Sequence, residues 1–182
     1  MRRFYLAGPD VFAPDALAIG RRKQAICAEL GAVGLFPLDN APPPDGLSAI
    51  DLARRIYADN VALMQAADGC IANLSPFRGP NADDGTAWET GWMIAAGKPV
   101  FGHVDDPRPL AERSAVAGRT DQQGRPVDAN GWWVEEFGWP VNLMLVAGIE
   151  QSGGQVMVQA EGAAPYDAFR RAVAAAVGFF DP

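Results

Sequence analysis

Two carboxylates, Asp83 and Glu89, lie six residues apart in the stretch Asp83-Asp84-Gly85-Thr86-Ala87-Trp88-Glu89, with a glycine between them. A pair spaced this way can face one pocket without being neighbours on a helix. Glycosyl transfer with retention uses two such groups, one to attack the anomeric carbon and one to exchange a proton with the leaving group. Each also has a plainer reading. Thr86 to Glu89 has the spacing of a capping box, with Thr86 as N-cap and Glu89 at the third helical position, and an Asp-Gly pair favours turns. A carboxylate in the first turn of a helix lies near free amides and the positive end of the helix dipole. That keeps it ionised and competent to attack an oxocarbenium-like carbon. Asn60 is the third chemistry-bearing residue. It falls on the stripe Ile56, Asn60, Leu63, Ala67, whose spacing marks the buried side of a helix. A buried amide needs partners, either backbone groups or the hydroxyls of a bound sugar.

These residues need a scaffold, and the chain reads as one of alternating strands and helices. Short apolar runs bounded by turn residues predict strands at Arg3 to Ala7, Val33 to Pro37, Gly69 to Leu74 and Pro99 to Val104. Segments of helical period at about Asp15 to Leu30, Ser48 to Ala67 and Thr86 to Ala96 lie between them. Beyond these come a short helix from Val141 to Ile149, a possible fifth strand from Gln155 to Gln159 and a terminal helix from Tyr166 to Phe179. The pattern is that of an α/β, doubly wound sheet of about five mainly parallel strands with helices on both faces. Ligands of such sheets bind at the carboxyl ends of the strands. Gly8-Pro9-Asp10 and Ser75-Pro76-Phe77-Arg78-Gly79 stand there, the latter leading into Asp83 and Glu89. Ser48, followed by Asp51, is a helix start signal. The Pro-rich loop Ala41 to Gly46 before it is a candidate rim or lid, and the irregular Asp105 to Gly138 region runs into the aromatic group Trp132, Trp133, Phe137 and Trp139.

Composition narrows the partners. At 182 residues, 49% hydrophobic and 20% charged, the chain fits one globular domain spanning residues 1–182. A net charge of -7 argues against nucleic acid and acidic membranes, which need clustered cations. The one basic cluster, Arg21-Arg22-Lys23, reads as a solvated helix face. Cys27 and Cys70 have no metal-site spacing and read as reduced core residues, and His103, the only histidine, reads as structural. No metal or cofactor is expected. With no signal-like or membrane-spanning stretch, the expected location is the cytoplasm.

Four segments carry a family resemblance. They are Tyr5-Leu6-Ala7-Gly8-Pro9, the run from Ala67 through Leu74-Ser75-Pro76-Phe77-Arg78-Gly79-Pro80, the run Asp83 to Gly91, and Pro140-Val141-Asn142-Leu143-Met144. In this order and spacing they resemble the nucleoside 2-deoxyribosyltransferases, over roughly residues 3 to 104 and 139 to 149. The resemblance implies a flavodoxin-like fold and a ping-pong exchange of nucleobases on deoxyribose, as in nucleotide salvage, with deoxynucleosides and free bases as partners. It makes Glu89 the nucleophile that holds the sugar as an ester, Asp83 the group that serves the departing and incoming base, and Tyr5 the residue that orients Glu89. Asn60 takes a sugar-side position, and Gly8, Phe12 and Met144 lie near the nucleoside. In the family the asparagine matched by Asn142 comes from a neighbouring subunit and binds the sugar, so the resemblance implies a homo-oligomer, at least a dimer and possibly a hexamer. The same nucleophile would serve a hydrolase acting on deoxynucleosides or their 5'-monophosphates, and a non-catalytic nucleoside-binding module would use Glu89 only as a cap. An acid after the first strand, Asp10, speaks against a phosphate site there. The chain departs from shorter family members in its Asp105 to Trp139 region and in its extension beyond Gly148.

Overall fold

A computed structural model describes residues 1–39 and 46–180, so the candidate rim loop, apart from Gly46, falls outside the described residues. Five strands form one all-parallel sheet: β1 (Arg2–Ala7), β2 (Ala32–Leu35), β3 (Gly69–Asn73), β4 (Val100–Val104) and β5 (Val156–Val158). Their order is β2-β1-β3-β4-β5. This is the doubly wound order with its switch point beside β1 and β3. Every residue of β3 and β4 is buried, which is why both read as continuous apolar runs rather than alternating ones.

Alternation along β1 and β3 sorts the core into two layers. Tyr5, Cys70 and Ala72 point to one face and pack with Met64 of α2 (Ala49–Ala66), Met93 of α3 (Asp84–Ala95), and Val146 and Ile149 of α5 (Leu143–Gln151). Phe4, Leu6 and Ile71 point to the other, against Ile26 and Cys27 of α1 (Ala16–Glu29) and Phe169, Ala172 and Val173 of α6 (Asp167–Phe180). Both cysteines are free and buried. No described helix is long and apolar enough to cross a membrane.

The region after β4 is less irregular than its composition suggests. It contains the short α4 (Leu110–Ser114) and two antiparallel bridges, Thr120 with Pro126 and Val127 with Trp133, pinned by buried Leu110, Val127 and Val134. Trp132 is 74% exposed and takes no part in this packing.

One reading from charge patterning is overturned. Arg21 and Arg22 are solvated, but Lys23 is 3% exposed, its Nζ donating to Asp10 Oδ2 at 2.6 Å. It also stands 5.1 Å from the centre of the Phe169 ring. Three adjacent helical residues point in directions about 100° apart, so a run of cations cannot all share one solvated face. Asp10 also accepts from Asn73 Nδ2, and Asn73 Oδ1 caps the backbone N–H of Ser75. Replacing Lys23 by Ala should therefore leave the Asp10 carboxylate buried without its cation and cost about 3–5 kcal/mol of unfolding free energy. Urea denaturation measures this, and a loss under about 1 kcal/mol, typical of a surface pair, would contradict it.

Candidate active site

At the carboxyl ends of β1 and β2 a cavity of about 420 Å³ opens between the Gly8–Phe12 turn, α2 and the start of α3. Gly8, Phe12, Asn60, Asp83 and Glu89 line it together, with Val11, Leu38, Leu52, Ile56, Asp59 and Thr86 among the rest of the wall. The fold thus gathers five of the residues named from sequence, drawn from three separate segments. Gly8 is required by close approach: a Cβ there would lie 2.8 Å from Asn73 Cβ and 2.7 Å from Asp10 Oδ2. Phe12 is 56% exposed and stacks on Phe77, with centroids 5.4 Å apart and the Arg78 guanidinium over both rings.

Tyr5 comes up from beneath. Its ring is fully buried in β1, and its hydroxyl donates to Glu89 Oε1 at 2.5 Å. The strand fixes the Tyr5 oxygen and the helix fixes the Glu89 backbone, so the carboxyl is held from two elements. Asp83, in turn, is the N-cap of α3, its Oδ2 accepting from Thr86 N at 3.0 Å and Thr86 Oγ1 at 3.1 Å. One Asp83 oxygen is thereby committed to the helix, while the other accepts no hydrogen bond among the described residues.

This corrects the capping assignment. Asp83, not Thr86, caps the helix, so Glu89 lies in its second turn and not at the third position. Both residue types are good caps, and spacing alone cannot choose between them. The correction carries through to charge. Burial pushes the Glu89 carboxyl up to about 7, the Tyr5 hydrogen bond opposes that, and the nearby Asp83 charge adds to it. Glu89 is therefore not held ionised by a helix terminus; burial shifts its carboxyl up towards neutrality. The Tyr5 hydroxyl is driven far above its usual range, first by its own burial and then by Glu89, and stays a donor.

The linkage has a sign. A carboxyl raised from 4.5 to about 7 binds its proton more tightly in the folded chain, so stability is lost as pH rises through that window. Glu89→Gln has no such proton to lose and keeps an acceptor for Tyr5. Relative to the parent it should gain stability between pH about 5 and about 8, by at most about 3 kcal/mol at 1.36 kcal/mol per unit. Denaturation at the two pH values checks this, and an unchanged difference would contradict the raised carboxyl.

Sequence reasoning missed Asp59, Leu52 and Ile56. The signal was there: Leu52, Ile56, Asp59 and Asn60 follow helical spacing, so the stripe that read as core continues outward as the cavity wall. Only Met64 of α2 is fully buried, and Ile56 is 46% exposed. The acid expected to oppose phosphate, Asp10, is turned away and neutralised by Lys23. The wall nonetheless carries three carboxylates and, among the described residues, no cation. No group of three or more His, Cys, Asp or Glu suited to a metal occurs among the described residues. His103 is buried in the core beside Phe169, away from this cavity.

Asn142 and Met144 are not in the cavity of their own chain. Asn142 is the N-cap of α5 and Met144 is 73% exposed.

Residues 4–144 match the family described as nucleoside 2-deoxyribosyltransferase. The solved 2-desoxiribosyltransferase from Leishmania mexicana is 31% identical, with a TM-score of 0.64, and the match covers 100% of this chain and 98% of that one. An uncharacterized protein of Schizosaccharomyces pombe is 33% identical over 168 residues, 85% of this chain and 80% of its own. A conserved protein from Enterococcus faecalis V583 shares the fold, with a TM-score of 0.60 at 23% identity over 95% of this chain and 97% of that one.

Proposed function

Because this chain belongs to the nucleoside 2-deoxyribosyltransferase family, we propose that it moves 2-deoxyribose between nucleobases through a covalent ester on Glu89. The observation that carries this is the Glu89 carboxyl itself: fixed by the Tyr5 hydroxyl at 2.5 Å, raised to about 7, and facing a cavity it shares with Asp83. As a deoxynucleoside fills the cavity, Glu89 in its ionised form attacks C1' and the bond to the base breaks. The proton that Glu89 gives up on ionising passes to the departing base by way of Asp83, and the incoming base returns a proton along the same route as the ester is cleaved in reverse. Asn60 and Gly8 lie beside the sugar, and Phe12 offers a ring face to the base.

Asn142 and Met144 serve a neighbouring copy. In support, both are exposed and outside their own cavity, and apolar side chains lie open on the same chain: Ile50 at 64%, Tyr57 at 58% and Trp88 at 47%. A homo-oligomer covers such surface and completes the site at once. The absence of cations from the cavity wall among the described residues favours nucleosides over their monophosphates.

Incubation with deoxyinosine plus adenine, and with thymidine plus adenine, tests the reading. Deoxyadenosine is the expected product, and the productive donor defines the base scope. Free base with no new nucleoside would replace transfer by hydrolysis, and no turnover at all would leave a binding module.

Tyr5→Phe sharpens the test. Removing a hydrogen bond that favours the charged carboxylate raises the Glu89 pKa further, so the acidic limb of the kcat/KM profile should move to higher pH. At neutral pH kcat/KM should fall about 10- to 100-fold, the worth of a charge-assisted hydrogen bond. An unmoved limb would mean that Tyr5 has no hold on the nucleophile.

A further inference from the structure

Glu135 stands outside the cavity, in the region between β4 and α5, and both of its carboxylate oxygens are spent on the start of α5. Oε1 accepts from Asn142 Nδ2 at 2.5 Å and Oε2 from Leu143 N at 2.9 Å. The other end of the Asn142 carboxamide is also held, Oδ1 accepting from Met144 N at 3.0 Å. Capping α5 requires only the oxygen. The contact at the nitrogen adds nothing to the cap. It fixes the plane of the amide and settles which end is oxygen, leaving one N–H and one lone pair unspent on an exposed side chain.

Glu135 is itself anchored. Val134 before it is buried, and its N–H donates to Pro126 O at 2.9 Å. Arg113 of α4 binds the Pro140 carbonyl just ahead of Asn142 and the Pro80 carbonyl just ahead of Asp83. The segment between β4 and α5 therefore braces the residues leading to Asn142 from two sides. For an exposed helix cap of ordinary worth, about 1 kcal/mol, that is more constraint than stability needs. It suits an amide that must meet a ligand in one orientation.

We propose that Glu135 is a positioning residue for the transfer reaction, fixing the Asn142 carboxamide so that its free N–H and lone pair meet a sugar hydroxyl in the neighbouring copy's cavity. This rests on the reading that Asn142 completes that cavity. A hydroxyl both donates and accepts, which is what the free N–H and lone pair require. A carboxylate 2.5 Å from the amide nitrogen also sets a negative charge near the point of contact, which disfavours a phosphate there.

The test is a double-mutant cycle on the full-length protein with Glu135→Ala, the near-isosteric Glu135→Gln, Asn142→Ser, which keeps a capping oxygen, and Glu135→Ala/Asn142→Ser. Base exchange, pH profile, oligomer mass and thermal midpoint are read for each. The expected result is a fall in kcat/KM of about 10- to 100-fold for Glu135→Ala, from lost orientation, carried mainly by KM. A smaller fall is expected for Glu135→Gln, with oligomer mass unchanged in both. In kcat/KM the double variant should be no worse than Asn142→Ser alone, because Glu135 reaches the sugar only through that amide; its bond to Leu143 N belongs to the helix start and shows in the thermal midpoint. Additive losses, or full activity in both single Glu135 variants while Asn142→Ser is impaired, would overturn the role of Glu135 alone. Full activity in Asn142→Ser, or an inactive parent protein, would overturn the underlying reading and this proposal with it.

Discussion

Glu89→Gln should fold, bind nucleoside and fail to exchange bases, with a loss of about 10⁴-fold or more in kcat, the scale seen when a covalent nucleophile is removed. The substitution keeps the shape of the side chain and the acceptor for Tyr5, so the Tyr5–Glu89 contact at 2.5 Å has a neutral equivalent. What disappears is the negative charge and the lone pair that forms the bond to C1'. Two measurements separate this from a damaged site. The parent protein given a donor and no acceptor should release a burst of base equal to its sites, because the sugar remains on Glu89, and the variant should show none. Labelled base should also enter its own deoxynucleoside with no second nucleoside present, the mark of a ping-pong path. Glu89→Asp keeps the charge and withdraws it by one methylene, so it should lie between the two, about 10²-fold down for a displacement near 1 Å. Exchange retained within tenfold in Glu89→Gln would exclude Glu89 as nucleophile. The cavity would then belong to a protein that recognises nucleosides without breaking them.

Much of this arrangement is legible in the sequence, and the reason is topological. A parallel α/β sheet places its ligand at the strand ends, so the polar residues just after each apolar run are the ones to examine. Gly8, Phe12, Asp83 and Glu89 come from two such places and meet in one cavity. Asn60 was visible as a polar residue on an apolar stripe. The errors have a common origin in local patterns with two equivalent solutions. Asp83 and Thr86 are both capping residues three apart, and choosing the wrong one moved Glu89 from the second turn to the first, so a carboxyl expected to stay ionised is instead pushed up by burial. The direction of each helical side chain is a tertiary matter too. Lys23 belongs to a cationic run in sequence, yet the Asp10 carboxylate reaches it only because the turn after β1 folds back over α1. The weak burial of α2 was also hidden, since an apolar stripe reads the same whether it faces a core, a cavity or another subunit.

That last ambiguity can be settled by mixing an inactive protein with an impaired one. Glu89→Gln subunits lack the nucleophile but carry an intact Asn142. Asn142→Ser subunits carry the nucleophile and keep a cap for α5, yet lack the amide. If each cavity draws Glu89 from one chain and Asn142 from the next, a hybrid dimer has one doubly defective site and one intact site. Random reassortment of equal amounts makes half of the dimers hybrids, so about a quarter of parent activity should return, from the reciprocity of a two-fold interface. The recovery should require subunit exchange: it should be absent on simple mixing if the oligomer is slow to dissociate, and appear after mild denaturation and refolding together. A site built within one chain gives a different outcome, because neither partner can supply what the other lacks, and the refolded mixture would show only the mean of its two parents. The exposed Ile50, Tyr57, Trp88 and Met144 make the first outcome the physical expectation. Leaving four large apolar side chains in water is unfavourable by about 1.5–3 kcal/mol for each fully exposed one, and on the proposed reading a second copy that buries them would also bring the Asn142 amide.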